Sequence, residues 1–364
     1  MPQTRMFRIG YGIIVILLII LLANQVSFIF NPLVVFVQTL FFPFLVSGVL
    51  FYLFRPVVKA LQKLGIPKVI AILLIYLIFI GLFVLLGFLI GPLLKEQFNR
   101  LVENFPDMIE KARAKFENLN RQPWVAQYVN WNEIAAYVTN YLESSLSQIG
   151  TNIVNFVGVI TNIIVVFVTV PFILYYMLKE GEKAPAYMLR LLPEKERQQG
   201  LKILSDMDLA LSSYIKGQVL VGIFVGLIVY IGYLIIGIDY SLILALLTMF
   251  TNVIPFVGPL IGIIPALVVA FIDSPIMVVY VLIVAVVAQQ LEGNLVSPYI
   301  MGKNLNIHPL TIILLLLVAG SLGGFLGLLL AVPTYAVLKV VVSHTYRLIK
   351  LRTEKDHQVT LDSE

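Results

Sequence analysis

The stretch TNVIPFVGPLIGIIP, Thr251 to Pro265, holds three prolines and two glycines among residues otherwise apolar enough for a bilayer. A lipid-facing helix that lost backbone hydrogen bonds here would incur a cost of several kcal/mol per orphaned group. The stretch is the centre of a longer segment, Ser241 to Ile272, whose 32 residues would make about 48 Å of straight helix. Two full crossings need roughly 40 residues before any turn, and one needs about 20. Apolar arms, Leu242 to Phe250 and Leu260 to Ile272, flank the breakers, and Asp239 and Asp273 bracket the whole. Two acids that resist burial sit most easily at one water surface. The spacing therefore predicts a re-entrant hairpin over 241–272 with its tip inside the membrane. A single broken crossing is the alternative.

A second segment has the same plan. PLTIILLLLVAGSLGGFLGLLLAVPTYAVLKV, Pro309 to Val340, has an apolar arm, a Gly320–Gly324 centre and a second arm. With Pro265 set over Pro333, Ser241 falls over Pro309 and Asn252 over Gly320. Paired interrupted segments of this kind are the sequence signature of a transporter binding site, because their tips expose backbone groups and helix ends to a cavity.

The rest of the chain is that of a polytopic membrane protein. Of 364 residues, 60% are hydrophobic and 12% charged, with mean hydropathy +0.97, whereas a soluble domain is about a quarter charged. Charge-free runs such as Ile9 to Phe30 and Val69 to Leu94 are long enough to span. The first is too long for a signal peptide and lacks a small-residue cleavage site. Six full spans are expected, with two re-entrant hairpins, in an all-α fold. Arg55, Lys59, Lys63 and Lys68, with no acid between them, mark a cytoplasmic loop, and Arg5 and Arg8 put the N-terminus on that side. The net charge of +5 lies beside spans, so it does not point to nucleic acid. With no cysteine, disulfides, thiolate catalysis and thiolate metal sites are excluded. Three histidines, two of them at or in the polar tail, do not make a metal centre, and no cofactor is expected.

Four regions follow. Residues 1–94 carry three spans. Residues 95–150 form an extracellular segment with an apolar stripe at Leu94, Phe98, Leu101, Phe105, Met108, Ala112, Phe116 and Leu119, which Pro106 restarts as a first-turn residue. A second stripe follows at Trp131, Ile134, Val138, Tyr141 and Ser145. Each stripe fits either internal packing or a subunit contact, since periodicity names no partner. Residues 151–343 form a transport core, with a cytoplasmic amphipathic helix over 183–215 and both hairpins. Residues 344–364 are a polar cytoplasmic tail.

Candidate site residues are the polar groups near the breakers. Glu292, flanked by Gln289, Gln290 and Asn294, is either a proton or cation site or an anchor of the Glu-Gly-Asn turn. Thr251 and Asn252 either line a polar cavity or replace backbone partners lost at Pro255. Pro255, Gly258 and Pro259 shape the first tip, and Gly320, Gly323 and Gly324 the second. Ser321, in the second tip, invites comparison with intramembrane serine proteases. The residue two before it is Ala319 where a glycine is expected, and the protein is read as no enzyme.

Downstream, QQLEGNLVSPYIMGKNLNIHPL, Gln289 to Leu310, resembles the autoinducer-2 exporter-like family of bacterial permeases. The carrying residues are Gln290, Glu292, Gly293, Asn294, Pro298, Gly302, His308 and Pro309, with PFILYYMLKEG from Pro171 and YIKGQ from Tyr214 upstream. The likeness is specific from Pro171 to Lys339. It implies a multi-pass protein of the bacterial cell membrane and a homo-oligomer, with five subunits the expectation. Members are associated with autoinducer-2 export and with sodium(lithium)/proton antiport.

The function expected is secondary transport, as an exporter of a small solute or signal such as autoinducer-2. Antiport of sodium or lithium against protons is the alternative, and a non-transporting scaffold or a channel the reading of another class. Partners are membrane lipid, a small solute with H+ or Na+, and further copies of the chain. No nucleotide-binding loop is present to couple ATP.

Overall fold

A computed structural model describes residues 5–120, 153–191, 193–301 and 307–361, and among these every regular element is helical. The elements are α1 (Arg5–Gln25), α2 (Ser27–Lys63), α3 (Lys68–Asn120), α4 (Ile153–Glu180), the short α5 (Ala184–Met188), α6 (Glu194–Ile236), α7 (Ser241–Thr251), α8 (Val257–Asp273), α9 (Pro275–Leu291), a π-helical turn (Glu292–Val296), α10 (Ser297–Met301) and α11 (Pro309–Leu361). Among the described residues, five stretches are long and apolar enough to cross a membrane: Val34–Lys63, Lys68–Lys115, Glu196–Ile236, Pro275–Ile300 and Pro309–Tyr346. Leucine, isoleucine and phenylalanine side chains cover their outer faces and lie exposed, as expected where lipid is the solvent. The protein is an all-α, multi-pass membrane protein.

Two cores organise the helices. In the first, Phe51 and Val58 of α2, Ala71, Ile72 and Ile75 of α3, and Leu174 and Leu178 of α4 are buried together. Ser47 and Tyr76 donate to the carbonyls of Val170 and Pro171, at the proline inside α4. The second core joins Val221, Val225, Val229 and Tyr233 of α6 to Leu244 and Ala245 of α7, Ala266, Val269 and Ala270 of α8, and Val281 and Ala288 of α9. Arg55 of α2 reaches across to Asp208 of α6 at 2.6 Å.

The first broken segment is a helical hairpin. α6 ends at Gly237, whose φ of +71° closes the helix in the left-handed conformation that glycine adopts without strain. α7 then runs one way and α8 returns along it. Their contact is tight: a methyl group added at Gly258 would collide with the Thr251 carbonyl, and one added at Gly262 would meet the Cα of Thr248 at 2.8 Å. Thr248 Oγ1 lies 3.2 Å from the Gly262 carbonyl it donates to.

The second segment reverses as well, at Gly324, with φ 56° and ψ −137°, a region open essentially to glycine alone. A methyl group at Gly327 would collide with the Ala319 carbonyl, and one at Gly320 would sit 3.0 Å from Leu328. Ala319 and Gly327 would lie about 12 Å apart along a straight helix, so Pro309–Tyr346 forms two arms. The register that sets Ser241 over Pro309 also sets Thr251 over Ala319. Each of these two carbonyls is covered by a glycine of the returning arm, so the two segments share a contact as well as a composition.

α6 measures how the hairpins are placed. At Asp206, its carboxylate lies 2.7 Å from His344 at the base of the second hairpin. Some 46 Å further along, at 1.5 Å per residue, Gly237 leads into the base of the first. The bases of the two hairpins therefore lie toward opposite ends of α6.

One expectation is corrected. Pro106 does not restart a helix; it lies inside α3, which runs unbroken for 53 residues from Lys68. A proline within a helix costs one backbone bond and is tolerated where packing holds both sides. The first stripe also has an internal partner: Leu101 and Met108 pack on the second core, and Ala112 is buried. The second stripe, Gly302 and the end of the tail lie outside the described residues, as do the side chains of Phe116 and Leu119.

Candidate solute pathway at the first hairpin tip

α7 ends at Thr251, and the chain turns over five residues, 252–256, before α8. Its sharpest point is a γ-turn in which the Val257 amide donates to the Pro255 carbonyl at 2.7 Å. Phe256 at its centre has φ 62° and ψ −48°, a conformation costly for a residue with a Cβ. Proline at 255 offers no amide of its own, and the Gly258 amide closes the turn on the Ile254 carbonyl at 2.8 Å.

Asn252 is fully buried in this turn, and neither its side-chain nitrogen nor its oxygen has a hydrogen-bond partner among the described residues. Leaving such groups unmet costs about 1–3 kcal/mol each. Its backbone carbonyl is met: Gln218 of α6, itself buried, donates to it at 2.6 Å. The Asn252 side chain lies beside the Glu292 carboxylate without making a hydrogen bond of ordinary geometry to it.

Glu292 opens the π-helical turn that follows α9. Such turns insert one residue per turn, re-aim side chains, and occur often at functional sites. Gln289 donates to the Glu292 carboxylate at 2.9 Å. Gln290 instead accepts from Asn294 at 2.8 Å, and both are exposed. The structure thus brings Asn252, Glu292 and Gln289 together and adds Gln218.

Thr251 donates to the carbonyls of Leu247 and Thr248 in its own helix. Ser321 likewise donates to Val318 of its own helix at 2.8 Å, and among the described residues no bond joins it to Asn252 or Glu292. Pro255 lies in the first turn, Gly258 and Pro259 lie in the opening turn of α8, and Gly320, Gly323 and Gly324 lie at the second reversal. The first tip also has an apolar contact: Ile254 and Val257 pack with Ile312, Leu316, Ala319, Leu328 and Ala331 of the second hairpin.

Gln218, the last residue of the YIKGQ motif, is the member absent from the candidate site residues. Its signal is an amide standing in the buried row Val221, Val225, Val229 of α6, where an apolar residue belongs. The base of the hairpin was missed too. Gln97 of α3 accepts from the first free amides of α7, Leu242 at 3.2 Å and Ile243 at 3.3 Å. Lys115 donates to the last carbonyls of α8, Phe271 at 2.9 Å and Ile272 at 2.7 Å. Asp239 and Asp273, with Asp107, Lys111 and Lys115, line a cavity of about 510 Å³ between α3 and this base. It is at the opposite end of the hairpin from Asn252. Among the described residues no group of three acidic or histidine side chains is placed to hold a metal ion.

One carboxylate ringed by amides, beside an unsatisfied buried amide, can accept a cation or proton or hydrogen-bond a polar solute. Comparisons with known proteins point the same way. The sequence model of a protein family described as "AI-2E family transporter" matches residues 14–347. The chain is 46% identical over 345 residues to "Putative transport protein YueF" of Bacillus subtilis, covering 93% of each chain. It is 30% identical over 277 residues to "Putative permease PerM" of Escherichia coli, covering 73% of this chain and 76% of that one.

Proposed function

The chain belongs to the AI-2E transporter family, and from that premise we propose that it is a secondary transporter exporting a small polar solute or signal such as autoinducer-2 across the bacterial cell membrane. The observation that carries this reading is Asn252: a fully buried amide with both polar atoms unmet, beside Glu292, at the tip of a strained turn. A fold that needed only a helical hairpin would bury an apolar residue there. A solute group between Asn252 and Glu292 would meet both, and the tip would be a station on its path. In this reading the hairpins are re-entrant from opposite sides, both termini are cytoplasmic, lipid covers the apolar faces, the working form is a homo-oligomer, and the protein catalyses no bond-making.

Antiport of sodium or lithium against protons is the second reading, favoured by the carboxylate of Glu292 among otherwise neutral side chains. One experiment separates the two. Everted vesicles holding the full chain are assayed for autoinducer-2 and for sodium movement, with and without an imposed pH gradient. Autoinducer-2 movement without sodium movement supports the exporter, proton-driven sodium movement supports the antiporter, and neither flux overturns transport of both candidates.

A further inference from the structure

The two hairpins are held in different ways. The first is tied at both ends and at its tip by polar bonds to other helices. Gln97 accepts from the amides at the start of α7, and Lys115 donates to three carbonyls at the end of α8. Asn104 donates to the Tyr240 hydroxyl just before α7 at 3.1 Å, and Gln218 holds the tip. Its flank is close-packed as well: a methyl group at Gly226 of α6 would stand 2.7 Å from the Cβ of Met249. Each polar bond is directional and, apart from the exposed Lys115–Asp273 contact, lies partly or fully out of water, so a movement of this hairpin would leave donors and acceptors unmet.

The second hairpin meets its neighbours differently. Its inner face reaches the first tip through Ile312, Leu316, Ala319, Leu328 and Ala331, all apolar. A polar tie lies at its base, where His344 meets Asp206. Its turn is free of packing: Leu322 is 84% exposed, and a methyl group at Gly323 or Gly324 would meet nothing within 4 Å. Apolar contacts are non-directional and can slide or part without orphaning a polar group.

We infer that the first hairpin is a fixed post and the second the moving gate, which closes on Ile254 and Val257 and opens by swinging from its tied base. The inference rests on the transport reading and adds the part that moves. Opening would bring water to the apolar seam between the hairpins, next to Asn252, while the seam between the first hairpin and α6 stays dry.

The chain has no cysteine, so single cysteines report this directly. Leu316→Cys and Ala331→Cys sit in the gate seam, and Ala245→Cys and Ala266→Cys in the post seam. All four native residues are at least nine-tenths buried, at 1%, 6%, 2% and 0% exposure, so only motion can separate their reactivity. Full-length protein in phosphatidylethanolamine–phosphatidylglycerol vesicles, permeabilised so that both faces are reached, is treated with a membrane-impermeant maleimide. Labelling at 316 and 331 is expected at least ten-fold faster than at 245 and 266. Equal rates at all four positions, no labelling at the gate seam, or faster labelling of the post seam would overturn the assignment. The alanine positions take a small swap, so Ala331 against Ala266 stands even where Leu316→Cys misfolds. Labelling needs no substrate, so its failure is distinct from a failure of the flux assay.

Discussion

Lys115 and Asp273 meet through the backbone: the Lys115 ammonium stands 2.8 Å from the Asp273 carbonyl oxygen. The same α3 stretch, eighteen residues earlier in sequence, accepts from the start of α7 through Gln97. One helix therefore touches both the entry and the exit of the first hairpin, and the re-entrant reading puts the two ends on one side of the membrane. Cysteines at Asp239 and Asp273 should both label from the same face of sealed vesicles. Labelling from opposite faces would return the segment to a single broken crossing. Lys115→Met, which removes a cation from a helix C-terminus, should lower stability by about 1–2 kcal/mol, read as a fall in melting temperature.

Gln218→Leu should destabilise more than its near-equal volume suggests. The leucine matches the apolar row of α6 but leaves the buried Asn252 carbonyl without a donor, a cost of about 1–3 kcal/mol. Flux should fall with it, because the tip loses its positioning bond. A variant as stable and as active as the parent would show that the tip needs no such tie.

A charge in the stripe of α3 should act inside the subunit. Leu101→Glu places a carboxylate against the second core and should cost about 1–3 kcal/mol, lowering the melting temperature of detergent-solubilised protein whatever its oligomer size. Loss of oligomers with unchanged melting would instead make the stripe a subunit contact.

The turn between α4 and α5 carries a pH-dependent pair. Lys59, and with it Lys68, donate to Glu182 at 3.1 and 3.2 Å and hold its carboxyl below the ordinary carboxylate range. A folded value below the unfolded one gives stability that is full above the unfolded value and is lost as pH falls through the folded one. The pair is exposed, so its worth is at most about 1 kcal/mol. Glu182→Gln should melt slightly lower than the parent at neutral pH and equally at pH values well below the carboxylate range. A difference that grows on acidification would contradict this.

Much of this fold is legible in the chain because lipid leaves the backbone few choices. Clustered prolines and glycines at 255–265 and 320–324 weaken a lipid-facing helix, so their spacing marks the reversals. Glu292 and Asn252 stand out as polar residues in apolar surroundings. What periodicity cannot give is a partner: the α3 stripe shows a buried face but not that α7 and α8 cover it. Pro106 misleads because local propensity yields to packing on both flanks. Gln218 stands in the YIKGQ motif, but its role stays hidden until it is seen to donate to the Asn252 carbonyl. The split between Gln289, which reaches Glu292, and Gln290, which turns to Asn294, depends on the π-helical turn, which shifts the register by one residue and leaves no composition signal.

Glu292→Gln tests the account at its centre. The amide is nearly isosteric and can still accept from Gln289, so the fold should hold. Gradient-driven flux and melting are measured on the same vesicle preparation. The account predicts that flux driven by a pH gradient is lost while melting stays within the range of a single exposed hydrogen bond, about 1 kcal/mol, and downhill exchange of solute persists. Parent-like flux with parent-like pH dependence would contradict it and remove Glu292 from the mechanism.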